Sequence, residues 1–285
     1  MNGRRKNDRH VYTNHQRMKL TVGILLLGLF IISIMWYVFS RPRRNFRPGP
    51  ANQNLMAYAA GLLNQLKTNQ FRDSSLAALS DYTLEQLETG LPNDRARIVF
   101  WVNVYNAGYQ IHARRRGNQS SSIFTDKSIA FSGFSLSLDD IEHGILRKYR
   151  WKYSLGYLPQ FMPARSVHRL AVDTVDFRIH FVLNCGARSC PPIRILQEIQ
   201  LEDQLSSATR TFLQQETTID STTRVVYVSR IMLWFMADFG GMEGIKTIIS
   251  TNLGENIAGL SVKFNDYDWS AALQNFYEED ASIIP

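Results

Sequence analysis

Both cysteines of the chain lie in one stretch whose residue types could support nucleophilic chemistry. Cys185 and Cys190 follow an apolar run and are accompanied by Arg188 and a double proline. Gly186 and Pro191 favour an irregular loop, and loops that leave regular elements often carry functional groups. A thiol there becomes reactive if a base, a cation or a helix N-terminus lowers its pKa. The spacing equally allows a disulfide, provided that the two Cα atoms come within about 7 Å.

Two histidines are candidate bases for such a thiol. His143 lies in a predicted helix four residues after Asp139, whose carboxylate could hold the imidazole in one tautomer. The alternative is an ordinary histidine on a helix surface. His180 lies in the run that leads to the cysteines. Arg188 could stabilise a thiolate or an anionic substrate, and the amides of residues 186–189 could bind an oxyanion.

A stripe of amide side chains lies on a helix that is otherwise apolar nearly all round. Asn103, Asn106 and Gln110 follow one another at positions i, i+3 and i+7. Buried amides need hydrogen-bond partners, since an unsatisfied group costs about 1–3 kcal/mol. They could therefore satisfy loop backbone groups, or they could line a pocket in which Asn103 orients a histidine and Asn106 binds a ligand.

Two functional hypotheses follow. The first is a thiol-dependent hydrolase or transferase built on a Cys/His pair, with two sets of residues. The predicted catalytic residues are Cys185, His143, Asn103 and Asp139, and the predicted binding residues are Asn106, Arg188, His180 and Cys190. The second is a non-catalytic binding or scaffold module. A pocket that joins the amides, His143 and Cys185 favours the enzyme, whereas a disulfide with a surface His143 favours the scaffold.

A metal site built from the two cysteines, His143 and His180 is a third idea. Their spacing matches no common zinc pattern, so no metal and no other cofactor is expected.

The N-terminal region predicts attachment to a membrane. Residues 20–39 contain no charged side chain and are long enough to cross a bilayer core of roughly 30 Å as one helix. Basic residues lie on both sides, in the tail 1–19 and in the linker 40–54, where they suit lipid headgroups better than nucleic acid. The expected partners are thus the lipid bilayer and an unknown protein or small molecule, with no nucleic acid. The slight basic excess before the span and the sequon at Asn118 favour a lumenal or extracellular domain.

The rest of the chain, residues 55–285, is expected to form one globular domain, because 45% of the residues are hydrophobic and can build a core. Periodicity and capping signals predict a helix that is capped by Asn93 or Asp94 and ends just before Gly117. The same signals predict helices at Leu55–Phe71, from Thr83 to Glu88 or Thr89, and at Ser137–Trp151, Leu201–Glu216, Ser229–Phe239 and Glu243–Leu253. Alternating apolar runs predict strands at His168–Val172, Phe177–Leu183, Arg224–Val228 and Leu260–Phe264. Helices dominate and strands are few, which predicts an α+β fold with a mostly helical domain packed on a small antiparallel sheet, preceded by one transmembrane helix.

Several of these stretches together resemble the domain of unknown function 547 family (DUF547). The resemblance is carried by residues 100–107 (FWVNVYNA), 137–147 (SLDDIEHGILR), 180–186 (HFVLNCG) with 189–191 (SCP), 234–239 and 267–269. It implies a single domain without an assigned reaction. Some members of the family have serine at the position of Cys190, whereas the position of Cys185 is better kept, which favours Cys185 for a general role.

Overall fold

The computed structural model of the chain describes residues 18–33, 35, 51–116 and 121–278. The chain divides into two compact units, Met1–Phe46 and Arg47–Pro285. In the first unit, residues 18–33 form helix α1. The described residues leave out most of the predicted basic tail, residues 36–50 of the predicted span and linker, and the sequon at 118–120. Among those that are described, which include only part of the predicted span, no helix is long and apolar enough to cross a membrane.

The second unit is mostly helical. Its α-helices are α2 (Gln53–Lys67), α3 (Asp73–Ala77), α4 (Leu84–Gly90), α5 (Asp94–Arg116), α6 (Arg165–Leu170), α7 (Leu201–Glu216), α8 (Ile231–Trp234) and α9 (Gly241–Leu253). Shorter 3₁₀ turns occur at Ala78–Asp81, Ser121–Ile123, Lys152–Ser154 and Phe177–Phe181, and a π-helix occurs at Asp140–Leu146.

Capping residues explain where the main helices begin. The Thr83 hydroxyl accepts a hydrogen bond from the Gln86 amide while the Gln86 side chain accepts one from the Thr83 amide, which is the predicted capping box of α4. Asn93 caps α5 by accepting from the backbone N–H of Ala96 at 2.9 Å. Helix α5 packs against α2, and Trp101 is fully buried within the core. The predicted central position of α5 is therefore correct.

The strands form two small sheets. Strands β1 (Ile129–Phe131) and β2 (Phe134–Leu136) make an antiparallel hairpin. Strands β3 (Thr218–Asp220), β4 (Val225–Val228) and β5 (Ser261–Phe264) form a second sheet in that order, antiparallel between β3 and β4 and parallel between β4 and β5. The α+β class is confirmed, but the expected single antiparallel sheet is instead two sheets, one of them mixed.

The predicted hairpin between residues 168 and 183 is wrong. The first segment is helix α6 and the second is the 3₁₀ helix Phe177–Phe181. The Asp176 carboxylate accepts from the Arg178 amide and starts that turn. Ile179, His180 and Phe181 are all buried, so the alternation of residue types did not reflect two faces of a strand.

Candidate functional site

The two cysteines are joined in a disulfide. Cys185 and Cys190 have Cα atoms 6.1 Å apart, and the Cys185 residue is partly exposed while only 6% of Cys190 is exposed. The Tyr267 hydroxyl lies 3.3 Å from the Cys185 sulfur and 3.1 Å from the Cys190 sulfur. The thiol that sequence reasoning assigned as a nucleophile therefore exists only after this bond is reduced.

The disulfide loop is held by hydrogen bonds of its own. The Asn184 side chain donates to the Pro191 carbonyl at 2.8 Å and accepts from the Gly186 amide at 2.9 Å. Gly186 has a φ of +73° and lies against Tyr109, whose Cε1 would be 2.4 Å from an added Cβ. Only glycine suits this position, since both the backbone conformation and the close approach exclude a side chain.

The amide stripe of α5 supports loops. Asn103 donates to the Leu196 carbonyl at 2.9 Å and accepts from the Leu196 amide at 3.0 Å. Asn106 donates to the Val182 carbonyl and accepts from the Asn184 amide. Both side chains thus use their hydrogen-bonding groups on backbone, which matches the structural interpretation of the stripe. The Asn103 side chain hydrogen-bonds to Leu196 and to no described histidine, so it does not orient an imidazole as expected. Asn106 is fully buried.

Arg188 points to the surface beside residues 268–270. Its Nε donates to the Ser270 hydroxyl at 3.2 Å and lies 3.4 Å from the Asp268 carboxylate, with 71% of the side chain exposed. Arg188 makes no hydrogen bond to either sulfur. Its guanidinium is therefore not placed to stabilise a thiolate, contrary to what the sequence had predicted.

A second group of candidate site residues, apart from the disulfide loop, lies on the π-helix Asp140–Leu146. Ser137 and Asp140 form the predicted capping box, with reciprocal hydrogen bonds of 3.0 and 2.8 Å. The helix then widens, and the Arg147 amide donates to the Glu142 carbonyl five residues earlier at 2.9 Å. Single π turns inside helices recur at functional sites. This turn carries Glu142, His143 and Arg147 in sequence.

A buried charged group anchors this turn. Arg147 Nε donates to Asp238 Oδ2 at 2.5 Å, and both side chains are completely buried. His180 Nε2 donates to the same oxygen at 3.0 Å, and the His180 ring stacks on Phe235 with centroids 4.0 Å apart. Burial raises the pKa of Asp238, but the hydrogen bond from His180 and the charge of Arg147 outweigh burial and hold the pKa below its usual value. Burial lowers the pKa of His180, so the carboxylate is ionised and the imidazole neutral.

His143 is buried, which excludes the surface histidine considered from sequence. Arg147 Nη1 lies 2.8 Å from His143 Nδ1, and an arginine can only donate, so Nδ1 is the acceptor. Burial, followed by the charge of Arg147, holds the pKa of His143 well below its usual value. The neutral ring therefore carries its proton on Nε2, which lies 3.6 Å from Asp139 Oδ1.

The hydrogen bond between Arg147 and His143 decides whether His143 can act as a base for the thiol, with Asp139 to orient it. The Nδ1 lone pair of His143 is occupied by Arg147 and Nε2 is protonated, so the ring has no free lone pair with which to act as a base. Asp139 does face the imidazole as the i, i+4 spacing predicted, and it also pairs with Lys152. Within the described chain neither His143 nor His180 hydrogen-bonds to a sulfur atom.

Glu142 is the residue that sequence reasoning missed. Its Oε2 accepts a hydrogen bond from the Tyr105 hydroxyl at 2.9 Å. Burial raises the pKa of Glu142 to about 7, against the lowering effects of the Arg147 charge and the Tyr105 hydrogen bond. The residue is nevertheless partly exposed, and no described residue donates to Oε1. The available signal was Tyr105 on the buried face of α5, because a buried tyrosine hydroxyl needs a polar partner.

Aromatic side chains pack around the phenol of Tyr267, which contacts the disulfide. The ring of Tyr267 lies 4.8 Å from that of Trp234 and 4.6 Å from that of Trp269, which is exposed. Burial raises the pKa of Tyr267 well above its usual value, and the negative charge of Glu142 adds to this effect. The carboxyl of Glu142 is therefore within electrostatic reach of the phenol that contacts the disulfide.

A cleft of about 570 Å³ lies elsewhere, between the start of α5 and the start of α7. Its charged side chains are engaged with one another, as in the pairs of Arg178 with Asp176 and with Glu202. None of the residues that sequence reasoning assigned to a site lines this cleft. Across the described ranges, no group of three or more histidine, cysteine or acidic side chains is placed to hold a metal ion.

One part of the chain matches a known family. Residues 89–213 match the family described as "Protein of unknown function, DUF547". This match agrees with the resemblance seen in the sequence, and it includes α5, the π-helix and the cysteine loop. Asp238 and Tyr267 lie outside the matched residues although they contact them. No curated protein and no solved structure matches the chain.

Proposed function

We propose that the DUF547 domain carries an acid–base active site in which Glu142 is the reactive carboxyl. The observation that carries the proposal is geometric: a partly exposed carboxyl on the π-helix accepts a hydrogen bond from the buried Tyr105 hydroxyl. Burial raises the pKa of this carboxyl to about 7, which agrees with the geometry. A catalytic acid or base works best when its pKa lies near the operating pH. The Tyr105 hydroxyl occupies Oε2, which leaves Oε1 to exchange a proton with water or with a substrate.

The buried charges around Glu142 support this assignment. Buried ion pairs contribute little net stability, whereas paired titratable groups in different environments are typical of active sites. Arg147 and Asp238 fix the end of the π-helix, and His143 packs between Arg147 and Asp139. These residues position the turn that presents Glu142, and they are not proposed to touch the substrate.

The reaction class that suits one such carboxyl is hydrolysis or group transfer. The ionised form of Glu142 can accept a proton from an attacking water or alcohol, and the protonated form can donate one to the leaving group. At neutral pH both forms are populated, because the pKa of Glu142 is about 7. The exposed Trp269 and its partner Trp234, which pack on Tyr267, offer an apolar surface for the substrate.

The thiol-dependent mechanism with Cys185 and His143 is the weaker proposal. It requires reduction of the disulfide, and it requires His143 to lose its hydrogen bond with Arg147 before the imidazole can act as a base. A non-catalytic scaffold is favoured by a different observation, the pairing of the Asn103 and Asn106 side chains with loop backbone.

A panel of fluorogenic esters, amides, phosphoesters and glycosides tests the proposal on the full chain. We expect turnover of at least one class, lowered by about 100-fold or more in Glu142→Gln, because removal of a general base typically costs that much. Glu243→Gln is the matched control, since the Glu243 side chain is 85% exposed and its loss leaves the site intact. Turnover that survives Glu142→Gln, or that is abolished by alkylation of reduced cysteines, contradicts the proposal. The absence of turnover in every class supports the scaffold.

We also propose that residues 20–39 attach the chain to a lipid bilayer as a single span. The support is the uncharged apolar sequence and the exposure of its side chains in residues 18–33, such as Leu25 and Phe30. The wild-type chain is expected to remain with membranes in alkaline carbonate, and Leu25→Arg combined with Leu29→Arg is expected to release it. Release of the wild-type chain contradicts the anchor. Loss of a glycan in Asn118→Gln is the result expected for a lumenal or extracellular domain.

A further inference from the structure

We infer that the Cys185–Cys190 disulfide is a thiol-exchange site, at which a low-molecular-weight thiol attacks the Cys185 sulfur and Cys190 leaves as a thiolate. This inference goes beyond the acid–base role of Glu142 and does not depend on it. It rests on the unequal exposure of the two cysteines, the donors around the Cys190 sulfur, and the bonds that hold the loop without the disulfide.

The exposure of the two cysteines decides which sulfur a thiol can reach. Cys185 is partly exposed, whereas Cys190 is 6% exposed. Exchange requires the attacking thiolate to approach one sulfur in line with the bond that breaks, so access selects the sulfur that is attacked. The attack is therefore directed to Cys185, and the buried Cys190 becomes the leaving group.

Two hydrogen-bond donors contact the sulfur of Cys190, which is the leaving group. The backbone N–H of Cys185 donates to Cys190 Sγ at 2.9 Å, and the Tyr267 hydroxyl lies 3.1 Å from the same sulfur. Donors around a sulfur stabilise its thiolate, and a more stable thiolate leaves faster. Because burial raises the pKa of Tyr267, its phenol keeps its proton and remains a donor across the neutral range.

The loop has enough other contacts to keep its shape when the bond opens. Asn184 spans it by hydrogen bonds to Gly186 and Pro191. Ala187 pairs with Ala271 in an isolated antiparallel bridge. The disulfide closes a sequence separation of only 5 residues, so it constrains the unfolded chain less than a long-range bridge would. Reduction is thus expected to leave the domain folded.

The exchange balances in two steps. A thiolate attacks Cys185 Sγ, a new S–S bond forms between them, and the bond to Cys190 breaks with the electron pair going to the Cys190 sulfur. A second thiolate then attacks the sulfur of the bound small thiol, which releases a symmetric disulfide and the Cys185 thiolate. Two electrons pass from the two small thiols to the protein, and both cysteines take up protons from water according to their pKa values.

Reduced glutathione is the probe that tests this inference on the full chain under native conditions. After acid quenching, mass spectrometry of the peptides is expected to find the mixed disulfide on Cys185. In Tyr267→Phe its formation should slow by about tenfold, the effect of one lost hydrogen bond to a charged group. Tyr157→Phe is the matched control, because Tyr157 is 54% exposed and makes no contact with either sulfur.

The location of the adduct on the wild-type chain decides the inference even where Tyr267→Phe does not fold. An adduct on Cys190, or reaction only after the chain is denatured, overturns the inference. A folded Tyr267→Phe variant that reacts as fast as the wild-type chain refutes the role of the phenol as donor to the leaving sulfur.

Discussion

Replacing Glu142 by glutamine should stabilise the folded chain at alkaline pH and leave its stability nearly unchanged at acid pH. The folded state holds the pKa of Glu142 at about 7, against an ordinary value of 4.5. The difference of 2.5 between these values (7 − 4.5) corresponds to about 3 kcal/mol at ~1.4 kcal/mol for each tenfold change in the proton equilibrium. Because the residue is partly exposed, solvent screening reduces this to about 2–3 kcal/mol.

The direction of this pH dependence follows from the state of the chain, folded or unfolded, that binds the proton of Glu142. Between pH 4.5 and about 7 the folded chain holds a proton on Glu142 that the unfolded chain has released, so the free energy of unfolding falls as the pH rises. Glutamine has no charge to bury and can still accept the hydrogen bond from Tyr105 through its amide oxygen. The advantage of Glu142→Gln should therefore be close to zero below pH 4.5 and complete above about pH 8.

Urea denaturation of the full chain across this pH range measures the difference directly. The titrations of His143 and His180 occur in both proteins, so they largely cancel from the comparison. Glu243→Gln removes one carboxyl charge at an exposed site and is the matched control for the change in net charge. A difference between Glu142→Gln and wild type that stays constant with pH, or a loss of stability at pH 8, would refute the raised pKa and with it the case for a reactive carboxyl.

Two further substitutions test the buried charges. Asp238→Asn leaves the guanidinium of Arg147 buried without its carboxylate partner, and it should lower the free energy of unfolding by about 3–5 kcal/mol in urea; a loss under about 1 kcal/mol would contradict the pairing. Gly156→Ala should destabilise the chain in thermal melts more than Gly133→Ala. Both glycines have φ near +80°, but only at Gly156 would the added Cβ lie 2.8 Å from Arg147 Nη2 and Asp238 Oδ1; equal losses would contradict this crowding.

Local signals in the sequence predicted much of the helical scaffold. The capping boxes that begin at Thr83 and Ser137 depend on residues three positions apart, and both form as expected. The apolar character of α5 and its amide stripe are likewise contained in one short segment. These features are set by contacts within a few turns of helix, which periodicity can detect.

The strand prediction near His180 failed because alternating residue types do not identify a partner strand. Ile179, His180 and Phe181 are all buried, and within the described residues the segment pairs with no strand, so it closes into a 3₁₀ turn capped by Asp176. Hairpin β1–β2 was not predicted because each of its strands is only three residues long, which is too short to show a clear alternation.

The site itself depends on contacts between distant segments. Tyr105 and Glu142 are 37 positions apart, and His180 and Asp238 are 58 positions apart. No spacing rule links such pairs, so the reasoning from sequence settled on the i, i+4 neighbours Asp139 and His143. That pair does form, but burial and the hydrogen bond with Arg147 make His143 a structural group. The carboxyl that we propose to be reactive is that of its neighbour in the chain, Glu142.

The most direct test of the central claim is the labelling of Glu142 by a water-stable diazoacetamide, which esterifies protonated carboxylic acids with loss of nitrogen. At neutral pH an ordinary carboxyl is almost fully ionised and reacts little. We predict that peptide mapping of the native chain finds an ester on Glu142 with half-maximal labelling near pH 7, whereas glutamic acid in an unstructured control peptide is labelled only at acid pH. An unlabelled Glu142, or one that follows the same pH profile as the control peptide, would contradict the claim that an accessible carboxyl here exchanges protons at neutral pH.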